Sequence, residues 1–207
     1  CSGNLLFKFC YKRMFDVVFS ILGMVLLFPI LLPIAILIKL ESNGPIFFRQ
    51  SRVGLRGKIF QIHKLRTMHV NSENLGRITI GNDRRITSFG KFLRRYKIDE
   101  LPQLIDVLSG SMSIVGPRPE VKEYVDIYPV NIRKKILSVR PGITDLASIE
   151  MINESLIMAK YSNPHDAYIN KIMPIKLNLC AKYVENRTFF LDVKIILLTI
   201  KNIILTK

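Results

Sequence analysis

Residues Met14 to Leu40 read MFDVVFSILGMVLLFPILLPIAILIKL, apolar apart from Asp16, Ser20 and Lys39. At about 1.5 Å per residue, the part from Val17 to Ile38 is long enough to cross a hydrocarbon core of about 30 Å as a helix. Pro29 and Pro33 stand in its middle. Each removes a helical hydrogen bond and crowds the preceding turn, which predicts a bend near Phe28. Lys8, Lys12 and Arg13 precede the segment, and Arg49, Arg52, Arg56 and Lys58 follow it. A simple span would export one of these basic flanks against the positive-inside rule. Two topologies therefore stand side by side: a transmembrane helix with a tolerated kink, and a helix that bends at Pro29 and returns to its starting face. A cleaved signal peptide is disfavoured by the length of the run, its internal charges and prolines, and the lack of a small-residue cleavage site.

The 207 residues suit one domain, or one domain with an appendage. Lys and Arg outnumber acids 31 to 16, a formal charge of +15 that predicts an anionic partner: nucleic acid, phospholipid or a phosphorylated small molecule. Cys1, Cys10 and Cys180 are odd in number and lack metal-ligand spacing, which points to neither a disulfide framework nor a zinc site and fits a reducing compartment.

Beyond the apolar run, GPIFFRQSRVGLRGKIFQIHKLRTM reads as an extended hairpin turning at Gly54 to Gly57. Its basic residues alternate with strand-forming apolar ones, so period two puts Lys64 and Arg66 on a shared face. For His63, packing is the stronger expectation than catalysis or metal binding. A polar loop with Asn82, Asp83 and Arg84 leads into a basic helix from about Thr87 to Tyr96. Another basic helix, Val130 to Val139, enters the Pro-Gly turn at Arg140 to Thr144, and helical pieces broken at Pro164 and Pro174 follow. In the tail, Val193, Ile196, Leu197, Ile200, Ile203 and Ile204 share one face at helical spacing, with Lys194, Lys201 and Lys207 elsewhere. That stripe fits core packing or burial in a bilayer interface.

The chemistry concentrates in KIDELPQLIDVLSGSMSIVGPRP, Lys97 to Pro119. Adjacent side chains on a regular helix diverge by about 100°, so Asp99 and Glu100 share a site only from a helix end or turn. Pro102 supports a helix start there, which places Asp99 at the N-cap and a stop at Gly110. Taken alone, an acid pair at a helix start is an ordinary cap. Arg118, held between Pro117 and Pro119, adds what bidentate phosphate recognition needs, and Arg94 lies five residues before Asp99.

Taken together, FFRQSRVG, FQIHKLRTM, DRRIT, DELPQL, GSMSIVGPRP, RPGIT and FFLDVKI, after a basic start and a proline-broken apolar segment, resemble the bacterial sugar transferases, the monotopic polyprenyl-phosphate phosphoglycosyl transferases. The resemblance covers nearly the whole chain, and the pairing of DELPQL with MSIVGPRP is its most specific part. It implies an α+β, predominantly helical monotopic membrane protein with an N-terminal proline-broken reentrant helix, a small β-hairpin and interfacial amphipathic helices. Residues 1–40 would form the basic segment and reentrant helix, and 41–207 a catalytic domain on the cytoplasmic face of the bacterial inner membrane.

The implied reaction moves a phosphosugar from a UDP-sugar to a polyprenyl phosphate such as undecaprenyl phosphate, releasing UMP and starting glycan assembly. Bringing anionic phosphates together needs Mg²⁺ and cationic side chains, and a carboxylate nucleophile splits the transfer into two displacements. Asp99 matches the family nucleophile and Glu100 its partner, the pair also serving as metal ligands. Lys64, Arg66, Arg94 and Arg118, with Gln50 and Arg52 from the first motif, are the expected substrate-binding residues. A UDP-sugar, a polyprenyl phosphate and an anionic phospholipid membrane are the expected partners, and homodimerisation is left open.

The chain departs from the pattern at Phe28, where Ser is frequent before the proline, at Asp145, where Gly is common, at Ser148, where Gln is expected, and at Cys180, where small members often have Asp. A catalytically silent membrane scaffold would account for the charge and the apolar helix but gives no reason for DELPQL between Arg94 and Arg118. Nucleic-acid binding accounts for charge alone, with neither a stacking platform nor a recognition motif.

Overall fold

A computed structural model describes residues 2–70, 72, 83–151, 154–158, 160–161 and 163–205; Cys1, Lys207 and Asn82 with most of its polar loop lie outside them. Helix α1 runs from Ser2 to Glu41 and continues helically through Pro29 and Pro33. Strands β1 (Phe47–Val53) and β2 (Ile59–Leu65) form the expected antiparallel hairpin, with Phe48 opposite Lys64 and Arg52 opposite Phe60. Its turn passes through Arg56 and Gly57, both at positive φ (55° and 79°). Helix α2 (Ser88–Arg95) starts at Thr87, whose hydroxyl accepts from the Gly90 N–H. Gly90 is needed there because a Cβ would come within 2.2 Å of the Thr67 carbonyl oxygen.

A 3₁₀ turn, Ile98–Glu100, then precedes α3 (Gln103–Leu108), which stops ahead of Gly110 at φ 87°. Strand β3 (Ser113–Val115) pairs in parallel with β4 (Gly142–Thr144), with α4 (Lys122–Ile127) and α5 (Val130–Ile136) between them. Short helices α6 (Leu146–Glu150), α7 (Glu154–Met158) and α8 (Pro164–Ala167) follow. A π-helical turn at Tyr168–Ile172 precedes α9 (Met173–Asn186), where Pro174 occupies the first turn, a position that needs no N–H donor. Helix α10 (Phe189–Leu205) closes the described chain. The protein is thus predominantly helical, with small sheets and one long apolar N-terminal helix.

From Lys12 onward, α1 touches one globular body on both sides of its apolar middle. Near its start, Lys12 Nζ donates to Asp192 at 2.6 Å, and Arg13 donates to the carbonyls of Val107 and Leu108 at 2.7 and 3.0 Å. Asp16 Oδ1 accepts the Ile114 N–H at 3.1 Å. Toward its end, Ile34 and Ile38 pack with Leu65 and Leu93, and Glu41 accepts the Phe89 N–H. Between these anchors Val25, Leu26 and Phe28 are 67%, 71% and 69% exposed.

Helix α10 divides its faces differently from the stripe expected of it. Asp192 and Ile195 are buried, Ile196 and Ile203 half-buried, and Phe190, Leu197, Ile200 and Ile204 point outward. The inward face carries polar groups because partners wait for them: Lys12 and Tyr183 for Asp192, and Thr144 for Thr199.

Candidate active site

The two acids reach one place because the backbone before them is irregular. Lys97 adopts the left-handed conformation (φ 55°), and Ile98, Asp99 and Glu100 wind as a 3₁₀ turn rather than as the first turn of α3. The expected N-cap at Asp99 is therefore not formed; Pro102 holds that position and no side chain caps the helix. Both acids are buried at 7% exposure, where an unpaired carboxylate is costly.

Their surroundings differ. Arg118 grips Glu100 with two nitrogens, one at 3.0 Å, and Lys64 Nζ donates to it at 2.9 Å. Burial alone would raise the Glu100 pKa, but the opposed charges of Arg118 and Lys64 hold it well below the usual carboxylate range. For Asp99 burial wins, the Glu100 charge adds to it, and the pKa is raised despite Lys64, Lys97 and Arg94. Asp99 Oδ1 is buried and has no hydrogen-bond partner among the described residues. Burial also depresses Lys64 and Arg94, while the Glu100 charge raises Arg118.

Positions of the basic residues follow from the elements that carry them. Lys64, Gln50 and Arg52 share one face of the hairpin, and Lys64 bonds the dyad directly. Arg94, on the last turn of α2, donates from Nε to the Thr67 hydroxyl at 2.8 Å and lies close enough to Asp99 to feel its charge. Arg118 is aimed by the loop after β3, where Gly116 and Gly142 cross so closely that a Cβ at Gly142 would lie 2.1 Å from the Gly116 nitrogen. Arg66 goes elsewhere. Strand β2 ends at Leu65, and the Arg66 guanidinium donates to the carbonyls of Ile38, Ser42 and Asn43 where α1 ends; the Ile38 carbonyl also accepts the Ser42 N–H, and those of Ser42 and Asn43 lie past the last helical turn. The expected sharing of a face by Lys64 and Arg66 thus stops where the strand does.

Beyond Arg118 lies a second buried ionic cluster that the sequence did not announce. Glu120 accepts from Arg52 at 3.2 Å, from the Tyr168 hydroxyl at 2.7 Å and from Lys176 at 3.4 Å, and Lys176 also meets Glu154 at 3.3 Å. Arg52 Nη2 donates to Gln50 Oε1 at 2.6 Å, tying that hairpin face to the cluster. Burial favours a neutral Glu120, but Lys176 and Arg52 outweigh it and keep its pKa low. Lys97 was equally missed as a neighbour of Asp99; its place immediately before Ile-Asp-Glu is the signal that would have found it.

A turn holding one strongly paired acid beside one with an unsatisfied oxygen, ringed by Lys64, Arg94 and Arg118, can receive phosphates and offer them a nucleophile. The family model for bacterial sugar transferase matches residues 7–206. The chain belongs to the bacterial sugar transferase family. Within it, the chain is 38% identical over 199 residues to the UDP-glucose:undecaprenyl-phosphate glucose-1-phosphate transferase of Caulobacter vibrioides, covering 94% of this chain and 70% of that protein. It is 37% identical to the UDP-N-acetylgalactosamine-undecaprenyl-phosphate N-acetylgalactosaminephosphotransferase of Aeromonas hydrophila, over 93% of this chain and 43% of that one. With the uncharacterized sugar transferase EpsL of Bacillus subtilis it shares 34% identity over 95% of this chain and 88% of EpsL. Against several family relatives the chain thus spans less than half their length.

Proposed function

We propose that this protein is a polyprenyl-phosphate sugar-1-phosphate transferase, moving a phosphosugar from a UDP-sugar to a polyprenyl phosphate through an aspartyl-phosphosugar intermediate. The observation that carries the mechanism is the unpartnered Asp99 Oδ1 in a buried cationic site. Asp99 attacks the β-phosphorus of the donor, an acyl-phosphate bond forms as the bond to UMP breaks, and UMP leaves. The polyprenyl phosphate then attacks the same phosphorus, releasing Asp99 and carrying off the phosphosugar.

Glu100 changes role as substrates arrive. Its two cations hold it ionised and weakly basic, and incoming phosphates compete for those cations. Each cation drawn away from Glu100 raises its pKa and makes it a better acceptor for a proton from the lipid phosphate. Lys64, Arg94 and Arg118 offset phosphate charge, with Gln50 and Arg52 supporting the hairpin side.

The donor set also suits Mg²⁺. This ion takes hard oxygen ligands and is commonly held by one or two carboxylates with substrate phosphates completing its shell, and Asp99 Oδ1 is free for that contact. No group of three or more His, Cys, Asp or Glu with metal-site geometry occurs among the described residues, consistent with a site that substrate completes. When bound there, Mg²⁺ would neutralise phosphate charge.

For the membrane, the contacts of α1 with one body on both sides of its middle support a reentrant helix whose exposed middle, Val25 to Ile30, dips into one leaflet. Residues 41–207 then lie against the cytoplasmic face. The outward stripe of α10 supports its burial in the interface. Single-cysteine labelling at positions 11 and 43 in vesicles of known orientation tests this: equal accessibility is expected, and opposite accessibility overturns the reentrant reading. Activity is tested by intact-protein mass spectrometry after mixing with a panel of UDP-sugars alone, then by UMP release with and without polyprenyl phosphate. A phosphosugar mapped to Asp99 is the expected result, and one mapped elsewhere overturns the assignment.

A further inference from the structure

Asp145 precedes α6 and is almost fully buried, 1% exposed. One of its oxygens has an ordinary task. Oδ1 accepts the Ser148 N–H at 2.8 Å and caps the helix, work that a serine or asparagine does as well. The other oxygen faces away from the helix it caps. Oδ2 accepts the backbone N–H of Arg118 at 3.2 Å and the Cys180 thiol at 3.5 Å. A buried carboxylate costs desolvation that a neutral cap avoids, so the cap alone does not account for it.

We propose that Asp145 is a positioning residue for the transfer reaction: its Oδ2, backed by Cys180, fixes the backbone of Arg118 so that the guanidinium meets Glu100 and the substrate phosphates in register. The surrounding loop makes this contact decisive. Pro117 and Pro119 have no N–H to anchor, so the Arg118 N–H is the one backbone donor in the Pro-Arg-Pro unit, and Asp145 takes it. Neighbouring ties hold the loop on either side, from the Gly142 N–H to the Pro117 carbonyl at 3.0 Å and from Arg52 to the Pro119 carbonyl at 3.1 Å, and the backbone N–H of the arginine between them goes to Asp145. This rests on the reading of Arg118 as a phosphate-site residue.

The test uses the whole chain and four variants. Asp145→Ser keeps the cap of α6 and removes the arm to Arg118. Asp145→Ser with Cys180→Asp returns a carboxylate from α9, because the Cys180 sulfur already lies 3.5 Å from Oδ2. Arg118→Ala reports the arginine itself, and Cys180→Asp alone controls for the added charge. Asp145→Ser is expected to lower kcat about tenfold, the rate equivalent of one charge-assisted hydrogen bond, with KM for the UDP-sugar and the melting temperature little changed. The double variant is expected to recover most of that loss. Wild-type kcat in Asp145→Ser, while Arg118→Ala is inactive, overturns the proposal and leaves the site reading standing. A loss in Asp145→Ser that follows a lowered melting temperature and is not recovered by Cys180→Asp makes Asp145 a structural cap only and also overturns it. Full activity in Arg118→Ala overturns the site reading itself.

Discussion

Two buried ionic clusters meet at Arg118 and Glu120, and among the described residues they leave different groups unmatched: an acid oxygen, Asp99 Oδ1, in one and a guanidinium nitrogen, Arg52 Nε, in the other. Around Glu120, the carboxylate oxygens are matched by Arg52, Tyr168 and Lys176, and Lys176 by a second acid, Glu154. Around the dyad, Glu100 takes both Arg118 and Lys64, and Asp99 is left raised in pKa with an oxygen that no described residue satisfies. Both regions are buried and both are charged, so neither property distinguishes a framework from a reactive centre. What separates them is the state of the carboxylate: that of Glu120 is matched by Arg52, Tyr168 and Lys176, whereas the bare Asp99 oxygen keeps free energy that substrate can recover.

The strongest way to break this comparison is Asp99→Asn. It should abolish the covalent adduct and lower turnover by at least about a thousandfold, without lowering the melting temperature, because the charge removed had no partner on Oδ1. Thermal unfolding beside intact-protein mass spectrometry checks both halves. A variant that melts far below wild type would show that Asp99 was part of the framework.

Glu100→Gln sharpens the difference within the dyad. Turnover should fall about a hundredfold, and the residual adduct formation should change its pH dependence in a set direction. Asp99 must be ionised to attack, and burial and the Glu100 charge raise its pKa, so the wild-type rate falls on acidification through a value above the ordinary aspartate range. Removing the like charge and freeing Lys64 and Arg118 lowers that pKa, so the acid limb should move to lower pH. Rapid-quench adduct formation across pH measures it; a shift upward would mean that Glu100 is not what raises Asp99.

Around Glu120 the balance reverses. Lys176→Met leaves Glu120 and Glu154 short of a cation and should destabilise the fold by about 3 kcal/mol, while kcat of the folded fraction stays within about threefold of wild type. Denaturant unfolding and turnover on the same sample decide it. The smallest chemical effect is expected outside both clusters: Leu197→Glu with Ile200→Glu should weaken retention on liposomes, with α1 still holding part of the protein there, yet leave adduct yield in detergent unchanged, as flotation and mass spectrometry would show.

Much of this was legible as residues and little of it as partners. DELPQL and GPRP marked the reactive turn because acids beside proline and arginine between prolines are local statements. The hairpin was legible from alternation and glycine. Arg66 looked like Lys64 because period two says nothing about where a strand ends, and only the packing of α1 shows which carbonyls it must serve. Asp99 read as a cap because the left-handed turn at Lys97, which tips the acids out of helical register, has no glycine to announce it. The stripe on α10 was legible, but hydropathy alone would have turned it inward; Lys12, Tyr183 and Thr144, distant in sequence, reserve the inner face for Asp192 and Thr199.

The grip of Arg13 on the carbonyls of Val107 and Leu108 gives α3 a mechanical role. This helix of six residues, about 9 Å long, lies along α1: Arg13 holds its C-terminal end, Gly23 sits against Leu104 near its start, and the turn carrying the two acids leads into it. The acids are therefore tied to α1 by the side-by-side contact of two rigid helices, and any shift of α1 carries the reactive turn with it.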